Sequence, residues 1–409
     1  MKKFKEFLEK FTIKFGNEIH LIAIRNAFMA IIPFLVISGF ATFINAVLLP
    51  LEFVVNTFGE GFVTQLGNIV TRINNGGFTI MSLMALILIS YNLANLKKFE
   101  KPMLCVLTTL AVFFGVVPFE TCTSLFGTTG IFLIIVISLT VTEVYIKLSK
   151  IEKLKIKLSG NVPQAVADSF NAIISISLIM IAYAIGAWLI KFVTGYEFND
   201  LVYALLQAPL VGVTASLPGM FIMLICQTGL FALGIHSGTV MYPIFTPLFT
   251  AALGEGALIN QTFNDTYTLM GGTGCTLGLV IALLLQNKRK DLKTLAKMAL
   301  PVSFFNINEP IIFGVPIVYN LTLIIPFMLV PMINGVIAYI ATIIGLVSKM
   351  TVPTAWSTPL FVSAYIGSAG DIRNVLLQVV LILVDVIIWS VFVKIYSNFL
   401  EKAEESNNK

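Results

Sequence analysis

The stretch SFFNINEPIIFGVPIVYN, Ser303 to Asn320, sets one carboxylate, Glu309, among apolar residues, prolines and amide side chains. A sheltered carboxylate can accept a hydrogen bond from a hydroxyl and take its proton in a transfer step, so Glu309 is the first candidate for chemistry. Asn306 and Asn308 stand just ahead of it and Pro310 follows. Proline in a first helical turn with Asn or Glu nearby is an ordinary helix start. A helix start needs only one such residue, however, and burying two amides with a carboxylate is costly unless something pairs with them. That cost favours a functional reading.

Two further clusters place polar groups in apolar sequence. In FALGIHSGTVMYP, His236 lies between Gly234 and Gly238 at an expected helix break. Glycine lets backbone approach a ligand closely, and imidazole exchanges a proton near neutral pH. A lone histidine in an apolar run is more commonly a packing residue. In VPTAWSTPLFVSAYIGSAGDIRN, Trp356 and Thr358 share a Ser/Thr/Pro turn, and Asp371 and Arg373 close the segment. An indole beside hydroxyls could stack on the apolar face of a sugar ring, or be an ordinary interfacial tryptophan. TYTLMGGTGCTLGL adds Gly271, Gly272 and Gly274, a pattern that also serves close helix packing. Asp385 stands isolated in the last apolar stretch, with no partner that the sequence names.

The elements that must hold these groups are apolar helices. Of 409 residues 57% are hydrophobic and 11% charged, far outside the soluble range, so an all-α polytopic membrane protein is expected. The clearest spans are Leu21 to Leu49, Phe78 to Leu96, Ile131 to Ile146, Ile173 to Ile190 and Leu376 to Val393. No cleavable signal peptide is evident, and the sequence opens instead on an amphipathic helix over 1–20, with Phe4, Phe7, Leu8 and Phe11 on one face. Basic loops at Lys97, Lys98 and Lys101, from Lys147 to Lys157, and at Lys288 to Lys293 alternate with acidic ones at Glu52, Glu60, Glu120 and Glu197. That alternation places both termini in the cytoplasm, and the basic runs read as membrane flanks that imply no nucleic acid. The cysteines, Cys105, Cys122, Cys226 and Cys275, lack metal or redox spacing and read as small core residues, and with His20 and His236 as the only histidines no metal site is expected.

The chain divides into halves of unlike character. Spans within 21–150 are long and uninterrupted, as suits a scaffold, and a basic linker with a connecting span occupies 151–200. The segment 201–398 is punctuated by Pro209, Pro218, Pro243, Pro247, Pro301, Pro310, Pro316, Pro353 and Pro359, and 399–409 is a tail. Pieces too short to span predict re-entrant hairpins and half-helices, and unwound backbone of that kind binds polar ligands near the bilayer midplane. The working site is therefore expected in 201–398.

GIHS with NINEPIIFGVPIV and then AWSTP resembles enzyme IIC, the membrane sugar transporter subunit of the bacterial phosphoenolpyruvate-dependent phosphotransferase system, in its lactose/cellobiose/diacetylchitobiose branch. AIRNAFMAIIPFLVISGF, NVPQAVADSF and GGTGCTLGL extend the resemblance over nearly the whole chain. The resemblance implies about ten transmembrane helices with re-entrant hairpins and amphipathic helices, a scaffold half that forms a homodimer, and a mobile half that moves sugar across the bacterial inner membrane as an elevator-type transporter. It places Glu309 and His236 around the C6 hydroxyl of a disaccharide of the cellobiose or diacetylchitobiose type. Asn308 and Trp356 would shape the pocket, with Asn306, Gly271, Gly272 and Thr358 as further substrate-binding candidates. Phosphate would come from a phosphocysteine on a cytoplasmic IIB protein, charged by IIA and the general phosphotransferase proteins, and no cofactor is implied. The chain stops at KAEESNNK soon after its last span, so IIB is expected to be a separate polypeptide. Ser237 and Leu321 depart from the family pattern, which often has Gly after the histidine and Pro after the Asn of the PIV segment. Two rival readings stay open. One is an ion-coupled secondary transporter in which Glu309 and Asp385 carry protons and unmodified sugar is released, and the other is an intramembrane enzyme with His236 and Glu309 as acid and base.

Overall fold

The computed structural model describes residues 18–156, 164–234, 237–286, 289–315, 317–318 and 320–407. The amphipathic stretch expected over 1–20 lies outside the described residues up to residue 17, as do His236, Pro316 and residues 157–163 of the linker. Among the described residues the regular structure is helical, with no strand. Hydrocarbon offers backbone groups no water, and a helix satisfies them within one segment.

Six stretches are long and apolar enough to cross a bilayer: Ile19–Phe43, Glu60–Leu96, Thr128–Leu148, Val166–Thr194, Thr322–Ile343 and Ile372–Asn398. A bent pair, Phe198–Thr214 with Leu217–Ala232, meets at 77° and makes up to seven. The bend falls where the sequence supplies its parts. Ser216 accepts from the Gly219 N–H at 3.2 Å, Pro218 opens the second helix, and a Cβ at Gly219 would overlap the Val213 carbonyl. Pro243 and Pro247, expected to break the chain, instead lie inside the continuous helix Ser237–Gly254. In membranes, neighbouring groups and small backbone adjustments satisfy the carbonyls that a proline frees, so proline ends helices less reliably than in water.

The chain forms two compact units that alternate along the sequence. Unit one comprises Met1–Pro33, Phe78–Val211 and Thr246–Gly254. Its centre packs α1 (Met81–Leu96), α2 (Pro102–Val116) and α3 (Ile131–Leu148), joined where the buried Ser90 hydroxyl meets those of Thr109 at 3.1 Å and Thr142 at 2.8 Å. Glu143 ties this core outward, pairing with Lys97 and with His20 Nε2 at 2.8 Å. α4 (Gln164–Thr194) also belongs to unit one, and only 11% of its apolar window is buried.

Unit two comprises Phe34–Gly77, Gly212–Phe245 and Glu255–Lys409. Its centre is α5 (Thr276–Leu285), packed on α9 (Ile372–Asn407) and on α6 (Lys290–Ser303). The short α7 (Glu309–Gly314) follows α6, and α8 (Leu321–Ile343) packs against α9. Cys105, Cys122 and Cys275 are buried as expected, whereas Cys226 is exposed. This corrects the core reading for Cys226: an apolar stretch of sequence marks a residue as apolar in its neighbours without burying it in the protein.

Candidate functional site

Unit two joins three of the sequence clusters through side-chain amides. Asn306 ends the turn after α6 in the left-handed region, φ 60°, which Asn tolerates better than most residues. Its Oδ1 accepts from the Gly271 N–H at 2.9 Å and its Nδ2 donates to the Trp356 carbonyl at 2.6 Å. One side chain thus ties the glycine loop to the tryptophan turn. A further main-chain bond, Leu360 N–H to the Phe304 carbonyl at 3.0 Å, holds the tryptophan turn to the segment that carries Asn306.

Asn308 makes the second tie. Its carbonyl accepts from Ile311 and Ile312 N–H at 3.0 and 2.9 Å, starting α7, while its Nδ2 donates to the Thr273 carbonyl at 2.8 Å and Thr276 Oγ1 at 3.0 Å. The Thr276 hydroxyl in turn donates to the Gly271 carbonyl at 2.6 Å. Gly272 has φ 100° and faces Asn308 so closely that a Cβ would overlap the amide side chain. Both asparagines are 4% exposed. The expected cost of burying two amides is met by the protein itself, through three backbone groups and the Thr276 hydroxyl.

The groups that keep surface are the candidates for contact with a ligand. Trp356 is 36% exposed and its main-chain carbonyl is fixed by Asn306. Glu309 is half-buried at the first position of α7, and Thr358 is half-buried with its N–H donated to the Ala355 carbonyl at 2.9 Å. Gly271 and Gly272 are buried. His236 lies outside the described residues. The chain on either side of it turns at Gly234, φ 79°, and re-enters helix at Ser237, which is buried. Leu321 opens α8. Among the described residues no group of His, Cys, Asp and Glu is arranged to hold a metal ion.

Asp371 and Arg373, also flagged from sequence, pair with each other at 2.8 Å. Asp371 also accepts from the Arg373 N–H at 3.0 Å, capping α9, and from the Ser348 hydroxyl at 2.6 Å. The Arg373 guanidinium, with Ser348, holds the Asp371 carboxyl well below the usual carboxylate range. Asp385 gains the partner that sequence reading did not find: Asn334 of α8 donates to it at 3.1 Å. The signal was present, because Asn334 is the one amide in α8 and Asp385 the one acid between Arg373 and Lys394.

A multi-span helical chain that holds a protein-shielded polar cluster at broken helices has the architecture of a membrane permease. The family model for "Phosphotransferase system, EIIC" matches residues 25–331, and the chain belongs to that family. It is 29% identical over 446 residues to the lichenan permease IIC component of Bacillus subtilis (strain 168), covering 100% of this chain and 96% of the relative. It is 28% identical over 425 residues to the cellobiose-specific EIIC component of Geobacillus stearothermophilus, covering 96% and 92%. The crystal structure of the transporter ChbC, the IIC component from the N,N'-diacetylchitobiose-specific phosphotransferase system, matches with TM-score 0.86 at 31% identity, covering 98% of this chain and 99% of that one.

Proposed function

We propose that the protein binds an external disaccharide of the cellobiose or diacetylchitobiose type, translocates it, and presents its C6 hydroxyl to a separate cytoplasmic phospho-IIB protein. The observation that carries this reading is the joining of NINEP, the glycine loop and the tryptophan turn by Asn306 and Asn308. That arrangement leaves Trp356, Glu309 and Thr358 with accessible surface, an indole, a carboxylate and a hydroxyl. Similarity to the cellobiose and diacetylchitobiose components supports the substrate class.

In this mechanism the Trp356 ring stacks on the sugar and Glu309 accepts a hydrogen bond from the C6 hydroxyl. As the C6 oxygen bonds to phosphorus, the phosphorus–sulfur bond of the IIB phosphocysteine breaks, sulfur leaves as thiolate, and the hydroxyl proton passes to Glu309. His236 stabilises that arrangement. The protein is thus the membrane component of a protein-phosphocysteine-sugar phosphotransferase, with IIA and the general phosphotransferase proteins upstream. Its setting is the bacterial inner membrane, with both termini in the cytoplasm and no cofactor of its own. About ten transmembrane helices, a scaffold over 21–150 and a mobile part over 201–398 moving as an elevator complete the reading. A homodimer formed through the scaffold half belongs to the same reading.

Glu309→Gln in sealed vesicles supplied with phosphorylated IIB is the test. Loss of sugar phosphorylation is expected, and wild-type rates would overturn the role. Release of unmodified sugar driven by an ion gradient in the wild-type protein would point instead to an ion-coupled transporter.

A further inference from the structure

α9 carries Asp385 into the interior of unit two, where it is 0% exposed. The Asn334 amide donates to Asp385 Oδ2 at 3.1 Å and to Cys275 Sγ at 3.4 Å, so both of its hydrogens are used. Asp385 Oδ1, Asn334 Oδ1 and the Trp389 indole N–H are buried and have no partner. Asp385 and Trp389 back onto the same glycine of α5, since a Cβ at Gly278 would lie 2.5 Å from Asp385 Cβ and 3.0 Å from Trp389 Cδ1. Among the described residues no Lys, Arg or His pairs with Asp385. The titratable groups near it are Cys275 and, beyond that thiol, Tyr267, whose carbonyl accepts from Cys275 Sγ at 3.9 Å.

An ionised carboxylate in this place would hold its charge against a single neutral protein donor and no counter-ion among the described residues, and uncompensated buried charge is the costliest arrangement a membrane helix can carry. A carboxylic acid keeps the Asn334 bond. It also converts the orphaned Asp385 oxygen into a donor, so the unpartnered set changes from two acceptors and one donor to two donors and one acceptor. We infer that Asp385 is an un-ionised carboxylic acid that positions Asn334, and through Asn334 the Cys275 end of the glycine loop, and that it neither gains nor releases a proton during transport. The route to the site runs along bonds already described. Cys275, φ 51°, ends the glycine loop, and Asn308 is held to that loop through Thr273 and Thr276. The positioning role rests on the sugar-site reading, whereas the protonation state stands without it.

Infrared difference spectra of wild type against Asp385→Asn in lipid nanodiscs test the protonation state directly. The carbonyl stretch of an un-ionised acid, present in wild type at neutral pH and absent from the variant, is expected. A carboxylate stretch in its place overturns the inference. Sugar affinity, with cellobiose and diacetylchitobiose as probes, tests the positioning. Asp385→Asn, which mimics a neutral acid, should bind within about twofold of wild type, and Asp385→Ala about tenfold more weakly. The exchange variant Asn334→Asp/Asp385→Asn, which swaps acid and amide, should regain affinity relative to Asn334→Asp. A folded Asp385→Asn protein as weak as Asp385→Ala overturns the neutral-acid role. If Asp385→Ala fails to fold, the infrared band and the exchange variant decide the matter. If neither probe binds wild-type protein, it is the sugar reading that fails, and the infrared result stands unaffected.

Discussion

The side-chain amide of Asn306 donates to the main-chain carbonyl of Trp356 at 2.6 Å, so the tryptophan is placed by its backbone while the residue remains 36% exposed. Asn306→Asp keeps a side chain that tolerates φ 60° and an acceptor for the Gly271 N–H, but removes the donor to Trp356. It should release the turn and weaken sugar binding about tenfold or more, the cost of a lost buried hydrogen bond. In a Trp188→Phe background, where Trp389 is fully buried, an aqueous quencher reports on Trp356. Quenching should rise in Asn306→Asp.

Gly272→Ala meets two obstacles at once: φ 100° and the Asn308 side chain in the space a Cβ needs. A destabilisation of at least about 2 kcal/mol is expected, measured as a lower thermal midpoint in detergent or nanodiscs.

Asp371 offers a pH test. Its carboxyl is held below its ordinary range by Arg373 and Ser348, so the stability it contributes is complete above the unfolded value of about pH 4 and is lost as pH falls through the lower folded one. Asp371→Asn should melt lower than wild type at pH 7. The gap between the two melting curves should close as the solution is acidified below the carboxylate range.

Cys226 is exposed while Cys105, Cys122 and Cys275 are buried. A membrane-permeant maleimide should therefore modify one thiol in the folded protein, and Cys226→Ser should abolish that labelling, as intact mass measures.

The spans were legible because hydropathy alone decides them: Phe78 to Leu96 and Ile131 to Ile146 read from composition fall inside Glu60–Leu96 and Thr128–Leu148. The site was legible in part. Polar residues in apolar sequence singled out NINEP, GGTG and AWSTP as separate clusters; the bonds of Asn306 and Asn308 that join them were hidden. They are the carbonyls of Trp356 and Thr273, and every residue type carries a carbonyl, so no side-chain pattern betrays such a bond. Pro243 and Pro247 misled for a related reason, since the cost of a proline depends on what satisfies the freed carbonyls rather than on the proline itself.

The alternation of the two units along the chain bears on how the protein is made. Phe34–Gly77 belongs to unit two, and its neighbours arrive near the other end of translation: Phe43 meets the Tyr365 ring at 5.4 Å, and a Cβ at Gly370 would lie 2.6 Å from Val47. Between them the ribosome delivers Phe78–Val211, all of it unit one. An early segment must wait in the lipid, inserted but without its partners, while the intervening unit is synthesised. Neither unit can be completed before work on the other has begun, so the gene cannot be cut at a single point into two fragments that each encode one whole unit.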